Sequence, residues 1–252
     1  MRIRHIGLTD FRSYTQLELP LSGKPVVLTG QNGAGKTNLL EAISMFSAGR
    51  GMRHARLNEV VRQDGPGGWA VRMQLAAGDD LALHNDLGVG VHAGSDKRLV
   101  RIDGAPAKPG DLLDYLNFLW LTPAQDRLFM DSPSERRKFL DRMVLAHDKT
   151  HGRQVRDYEN AMRQRQKLFE QGQFDEAWLS GLEARMAQTG VAIAAARREM
   201  AGRLAAGIER IAQSVFPVAE ISLDGALEQA LGDQSAGAAE EAFEARLKAG
   251  RR

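Results

Sequence analysis

The chain has 252 residues, of which 43% are hydrophobic and 26% charged, with no cysteine and a formal net charge of +2. This length and composition belong to an ordinary globular chain with room for one large core or two modest ones, and they exclude a chain disordered throughout. Without cysteine there is no disulfide framework, thiolate metal site or cysteine nucleophile, so any metal must use oxygen ligands or the six His.

In chain order, "MRIRHIGLTDFRSY" lacks the apolar core of a secretory signal, and no later run nears the ~18 apolar residues of a membrane helix, so a cytoplasmic location and no membrane contact are expected. The runs "IRHIGLTDF", "LELPL" and "VVLTG" read as strands. Directly after the predicted strand Val26 to Thr29 comes "GQNGAGKT", which satisfies G-x-x-x-x-G-K-[ST] at Gly30, Gly35, Lys36 and Thr37. The helix "KTNLLEAISMF" follows it. A strand, a glycine-rich turn and a helix in that order suit phosphate binding: Gly30, Gly33 and Gly35 let successive N–H groups turn inward, and the helix start adds partial positive charge. In such a loop Lys36 would meet the β and γ phosphates of ATP, and the Thr37 hydroxyl would ligate Mg²⁺.

Next, "GRGMRHAR" gathers Arg50, Arg53, His54 and Arg56 in a glycine-rich segment, where contact with DNA phosphates and contact across a dimer interface are both open readings. The alternating runs "WAVRMQLAAG", "DLALHND", "GVGVHAG" and "RLVRIDG" predict an antiparallel meander from Trp69 to Ile102, and "GDLLDYLNFL" predicts a helix. From about Ser134 to Phe216 the pattern is helical. Val155, Tyr158, Met162 and Phe169 mark one stripe, and Trp178, Leu182, Met186, Ile193, Met200, Leu204, Ile208 and Ile211 mark a second. Gly172 and an N-cap at Asp175 lie between them, which predicts an antiparallel hairpin, and Phe216-Pro217 closes the second helix.

Charge along this part is uneven. Arg153 to Lys167 carries five basic and two acidic residues, whereas Ala219 to Glu244 carries acidic ones alone. Arg156, Arg163 and Lys167 share one helix face, for which a solvated surface is the favoured reading. Arg136 and Arg137 are expected to pair with Glu135, Asp141 or the helix end. After Pro217, "VAEISLDG" predicts a return to strand, followed by a short helix on a flexible connection. The organisation is thus residues 1–135 as a lobe with the phosphate loop, 136–216 as a helical arm, and 217–252 as a return strand with a partly flexible end.

Nucleotide hydrolysis by this class also needs an apolar strand ending in Asp or Glu. "LNFLWLTPAQD" breaks at Thr122-Pro123 before Asp126, and "VAEISLDG" is too polar. No catalytic residue is assigned on these grounds.

Five segments in order, "LTDFRSYTQLELPL", "LTGQNGAGKTNLLEAI", "SAGRGMRHARLNEVVRQDG", "LTPAQDRLFMDSPSERRKFLDRMV" and "YENAMRQRQKLF", resemble the RecF family of bacterial DNA replication and repair proteins. The resemblance runs from Met1 to about Asp224, and "TNLLEAI" and "SPSERRKFLDRM" narrow it from the wider SMC-like and Rad50-like group. It implies an α/β fold of the P-loop ABC-type ATPase head, a mixed sheet with an antiparallel meander plus a helical arm. It also implies ATP and Mg²⁺ held by Gly30, Gln31, Asn32, Gly33, Ala34, Gly35, Lys36 and Thr37, with Arg12 near the nucleotide. Gln125 would sense Mg²⁺ and the γ phosphate.

The implied activity is an ATP-dependent homodimer on single-stranded, duplex or gapped DNA, acting with RecR and RecO to load RecA and support SOS induction. Members of this family continue into a signature segment and an acidic Walker B strand, neither of which is in this sequence. The resemblance therefore implies an N-terminal portion that binds nucleotide and hardly hydrolyses it. A generic P-loop ATPase or small-molecule kinase, and a structural head that ignores nucleotide, are the alternatives.

Overall fold

The computed structural model describes all residues except 48, 77–83, 173–174, 212–216 and 252. Two compact units divide the chain, Met1–Trp120 and Leu121–Arg252.

The first unit is built on six strands: β1 (Arg2–Phe11), β2 (Tyr14–Pro20), β3 (Trp69–Ala76), β4 (His84–Val91), β5 (Leu99–Ile102) and β6 (Ala105–Ala107). They form one sheet in the order β2-β1-β3-β4-β5-β6, and every pairing is antiparallel. Period-two alternation sets the register. Leu8 stands opposite Val71 and Val71 opposite Val89, and Ile6 opposite Met73 and Met73 opposite Leu87, so all of these apolar residues share the buried face. Helix α1 (Lys36–Ser44) supplies Leu39 and Ala42 to the same core, and Met45 and Phe46 follow. Phe11 meets Trp69 edge-on at 5.3 Å, and the Trp69 indole N–H donates to the Leu57 carbonyl at 2.8 Å.

The expected meander is formed, although residues 80–83 of "DLALHND" lie outside the described residues. "GDLLDYLNFL" forms only a 3-10 turn over Pro109–Asp114. The strand expected from Val26 to Thr29 is not paired. Val27 is 83% exposed, while Leu28 packs partly against the core. A continuous apolar run signals a strand flanked on both sides, and no described segment lies beside this one to complete a ladder. No parallel pairing is present among the described strands.

The second unit is helical: α2 (Pro133–Leu145), α3 (His151–Glu170), α4 (Glu176–Ile211), α5 (Ala226–Asp233) and α6 (Ala236–Ala249). Ser132 caps α2 through the Glu135 N–H, with Pro133 at the first helical position. Asp175 accepts the Trp178 N–H at 2.9 Å as the expected cap of α4. Gly172, at φ 64, starts the reversal. The hairpin is antiparallel: Arg165 pairs with Glu183, and Asp157, earlier in α3, pairs with Arg185, later in α4.

The predicted stripes are only partly buried. Trp178 and Ile211 are exposed, as is Met162, whereas Leu179, Ala187, Val191 and Ala194 are buried. Helix α4 is contacted by α2, α3, α5 and α6, so its buried surface wraps around the helix instead of following one face. No strand forms over residues 217–225; that stretch is irregular, and α5 and α6 dock on α4 instead. Phe216, the expected helix end, lies outside the described residues. Among the described residues no helix is long and apolar enough to cross a membrane.

Candidate phosphate-binding site

The loop from Gly30 to Thr37 departs from regular structure at its glycines: φ is 143° at Gly30, 88° at Gly33 and 91° at Gly35. Gly35 is the N-cap of α1. It must be glycine on two grounds, its left-handed backbone and the Tyr14 hydroxyl 2.6 Å from where a Cβ would stand. No side chain caps α1, and its first turn holds no acidic residue, so neither spends the positive end of the helix. The Lys36 ammonium donates to the Gly30 carbonyl at 2.6 Å and the Gln31 carbonyl at 2.8 Å, which draws it across the loop. Gln31, Asn32, Gly33, Ala34 and Thr37 are exposed. These residues form an exposed turn with the ammonium held across it, a donor set suited to a polyanionic phosphate chain.

Behind the loop lies Glu41, 0% exposed on α1. Arg12 donates to it twice, at 3.0 and 2.7 Å, and spends its third contact on the Glu59 carbonyl at 2.7 Å. Arg53 reaches the same carboxylate at 3.0 Å and the Asn38 side-chain oxygen at 3.2 Å. The Asn38 amide in turn donates to the Ser13 hydroxyl at 3.0 Å. Arg12 therefore stands near the loop but is held by a carboxylate, and Arg53 is anchored in the same way.

Of the other basic candidates, Arg50, His54 and Arg56 are exposed on the segment after α1. That segment is pinned by Met52, whose N–H donates to the Ser44 hydroxyl at 2.8 Å, and by Arg98, which donates to the Ser47 carbonyl at 2.8 Å and to the Gly49 carbonyl. Burial lowers the pKa of Arg98, since these carbonyls replace only part of its lost hydration.

Gln125 lies in the second unit, in a 3-10 turn over Pro123–Arg127, where its side-chain oxygen accepts the Thr122 N–H at 2.6 Å. Its side chain thus closes its own turn. Arg136 does not take a carboxylate partner of the expected kind; it donates to the Asp131 carbonyl at 2.7 Å, just ahead of its helix. Asp141 is engaged instead by Arg197 and His151. Arg156, Arg163 and Lys167 are exposed on α3.

Sequence reasoning missed Glu41, Asn38, Ser13, Tyr14 and Arg98. A signal existed for three of them: Ser13 and Tyr14 adjoin Arg12 in "FRSY". Glu41, in "NLLEAI", could have been noticed as a charge among apolar neighbours on a short helix.

The model of the RecF/RecN/SMC N terminal domain family matches residues 2–201. A protein named DNA replication and repair protein RecF from Brucella suis biovar 1 (strain 1330) is 47% identical over 99% of this chain and 65% of its own length. A protein of the same name from Rhizobium etli (strain CIAT 652) is 48% identical over 88% of this chain and 60% of its own length. The chain thus spans less than two thirds of either relative. A solved structure described as the recombination mediator protein RecF-ATPrS in the RecFOR pathway superposes with a TM-score of 0.81 at 22% identity, covering 98% of this chain and 66% of that one. A second, described as RecF-ATP, gives 0.78 at 21% identity. With these matches the antiparallel sheet, α1 and the helical unit take their place as a RecF ATPase-head fold, and the chain belongs to the RecF/RecN/SMC N-terminal domain family, corresponding to the N-terminal portion of RecF.

Proposed function

We propose that this chain is the nucleotide-gripping portion of a RecF-like DNA replication and repair protein, with Gly30 to Thr37 holding the phosphates of ATP. The carrying observation is the loop itself: three glycines of positive φ, an uncapped helix start, and the Lys36 ammonium drawn over the Gly30 and Gln31 carbonyls. The relatives named as DNA replication and repair proteins and the neighbour described with ATP support the same reading.

Lys36 contributes a point charge to the phosphates, and backbone N–H groups of the loop contribute the cradle. Thr37, exposed on the first turn, would contribute its hydroxyl to Mg²⁺, which would supply charge neutralisation at the phosphates. Arg12 acts near the nucleotide through its hold on Glu41. Gln125 remains the candidate for sensing the γ phosphate. Arg50, Arg53, His54 and Arg56, all exposed, are the candidates for DNA backbone contact, with Arg53 tethered to α1.

In the whole protein, ATP binding closes two heads on DNA at gaps and at single-strand to duplex junctions. That action, with RecR and RecO, helps load RecA and supports SOS induction in the cytoplasm. Titration with fluorescent ATP tests the core of this reading. Lys36→Ala should weaken binding by about ten- to a hundredfold, the loss of one charge-assisted contact. A gapped-DNA gel shift run with and without ATP should respond to nucleotide in the parent chain and not in Lys36→Ala. Equal ATP affinity in the two chains would overturn the assignment of the loop.

A further inference from the structure

Three successive residues where β1 turns into β2 contact the phosphate loop and the helix that follows it. Arg12 holds buried Glu41 of α1, and the Ser13 hydroxyl accepts from Asn38, in the first turn of α1. Tyr14 lies against Gly35: a Cβ built on Gly35 would stand 2.6 Å from the Tyr14 hydroxyl oxygen, 3.0 Å from its Cζ and 3.3 Å from the Ser13 hydroxyl.

The turn is itself rigidly set. Asp10 and Arg12 both take left-handed backbone, at φ 49° and 53°, a cost that persists only where the surroundings over-determine it. They are over-determined here. Arg62 bonds the Asp10 carboxylate at 2.7 Å and its backbone N–H donates to the Asp10 carbonyl at 2.8 Å, while Arg12 N–H donates to the Val60 carbonyl at 2.8 Å. Phe11 between them is fully buried against Trp69.

The loop that this turn touches has the opposite character. Three of its eight residues are glycine at positive φ, and apart from bonds within α1 the described ones are Ala34 N–H to the Gln31 carbonyl at 3.2 Å, the two Lys36 contacts and, where the helix begins, Leu39 N–H to the Gly35 carbonyl at 3.0 Å. Glycine-rich backbone loses the most entropy on ordering, so such a loop left to itself would sample many shapes unable to receive phosphate.

We propose that Ser13 and Tyr14 are positioning residues for the nucleotide, the turn serving as a rigid mould that holds the phosphate loop in its binding shape before any ligand arrives. The identity of the ligand rests on the ATP reading above, but the mould is a property of the free chain. Its advantage is pre-organisation: apparent affinity falls in proportion to the fraction of molecules with a competent loop, and a preset loop removes that tax. The ring of Tyr14 matters as volume, because Cζ remains against Gly35 when the hydroxyl is removed. The Ser13 bond holds the turn to α1 from the other side.

The test uses the full chain with Tyr14→Ala, Tyr14→Phe and Ser13→Ala, read by amide hydrogen exchange and by stopped-flow binding of fluorescent ATP. In Tyr14→Ala, exchange at Ala34 and Leu39 should rise about tenfold while the amides of Val71 and Met73 in the β3–β4 ladder keep their protection. Tyr14→Phe should stay within about twofold of the parent, and Ser13→Ala should fall between the two. The ATP association rate of Tyr14→Ala should drop about tenfold with its dissociation rate within about twofold, since a lost mould lowers the competent population and removes no contact to ligand. Unchanged exchange at Ala34 and Leu39, an equal rise in the β3–β4 ladder, or an affinity loss carried wholly by dissociation would each overturn the proposal. If the exchange responds as expected but the parent chain fails to bind ATP, the mould stands and the ATP reading falls. If ATP binds in a Lys36-dependent way and exchange does not respond, the mould falls and the ATP reading stands.

Discussion

Both units bury a glutamate on a helix and close two arginines on it, but the arginines come from different kinds of structure. In the sheet unit Glu41 is held by Arg12, in a strained turn, and Arg53, in a glycine-rich segment. In the helical unit Glu183 is held by Arg165 of α3 and by Arg251, just past the end of α6. Arg165 also donates to the Leu247 carbonyl at 2.8 Å, and Arg251 to the Ser180 hydroxyl at 2.9 Å. The first arrangement fixes loops around one helix, and the second locks helices to each other. A buried carboxylate costs several kcal/mol to desolvate, so neither is an efficient source of stability by itself. What each provides is a geometry that apolar packing would not specify: the position of loops beside the phosphate loop in one case, and the docking of α6 on the arm in the other.

The largest effect should come from breaking the helical lock. Glu183→Ala leaves Arg165 and Arg251 without their carboxylate; their side chains are only 16% and 18% exposed, so water can replace little of what is lost. The expected loss is about 3–5 kcal/mol, the usual cost of removing one partner from a buried pair. Urea unfolding followed by circular dichroism measures it, and limited proteolysis should cut first within α6. A loss below about 1 kcal/mol would mean that the helices hold without the pair.

That lock was illegible in the sequence, and the reason is physical. The 3.6-residue period revealed α3, α4 and their antiparallel pairing, because an amphipathic pattern survives whatever it packs against. It did not reveal which face of α4 is buried, since four helices surround it and Glu183 falls between buried Leu179 and Met186. A glutamate at such a place reads as a break in the stripe until its partners, 18 residues earlier at Arg165 and 68 residues later at Arg251, are known. The meander from Trp69 to Ile102 was legible because period-two alternation leaves one choice of face. The runs at Val26–Thr29 and Val218–Asp224 were misread for a shared reason: strand formation depends on a neighbour, and apolar content says nothing about whether one is present. The glycine-rich turn from Gly30 to Thr37 and the helix after it were legible because their pattern is local to eight residues. Their supports were not, because the contacts of Glu41, Ser13 and Arg98 are spread over the sheet unit.

A smaller loss of stability, with a different functional signature, should follow from Glu41→Ala. Arg12 and Arg53 are 25% and 42% exposed at their side chains, so solvent recovers part of their charge, and about 2 kcal/mol is expected. The informative measurement is ATP affinity. Removing Glu41 frees Arg12 and loosens Asn38 and Ser13 beside the loop, so affinity should fall about tenfold. Glu183→Ala, despite its larger effect on unfolding, should leave ATP affinity of the folded chain unchanged. Equal losses of affinity in the two variants would erase the distinction between a lock on loops and a lock on helices.

The mildest probe is acid. Burial pushes the carboxyls of Asp141 and Glu183 up, but for Asp141 the bonds from His151 and Arg197, and for Glu183 those from Arg251 and Arg165, outweigh it and hold both below the ordinary carboxylate range. A carboxyl whose pKa is lower in the folded than in the unfolded chain binds its proton more readily when unfolded. Its contribution is therefore complete above the unfolded value, near about 4, and is lost as pH falls through the folded value below it. The stability of the helical unit should accordingly be flat from about pH 7 to 5 and decline below about pH 4. Comparison with Glu183→Gln isolates the cause. At pH 7 the parent carries a carboxylate between two arginines and the variant a neutral amide, so the parent is the more stable. As Glu183 takes up a proton it too becomes a neutral group of the same shape, and the gap between parent and variant must narrow. A gap that stays constant down to about pH 3 would show that Arg165 and Arg251 do not act on Glu183 through its charge.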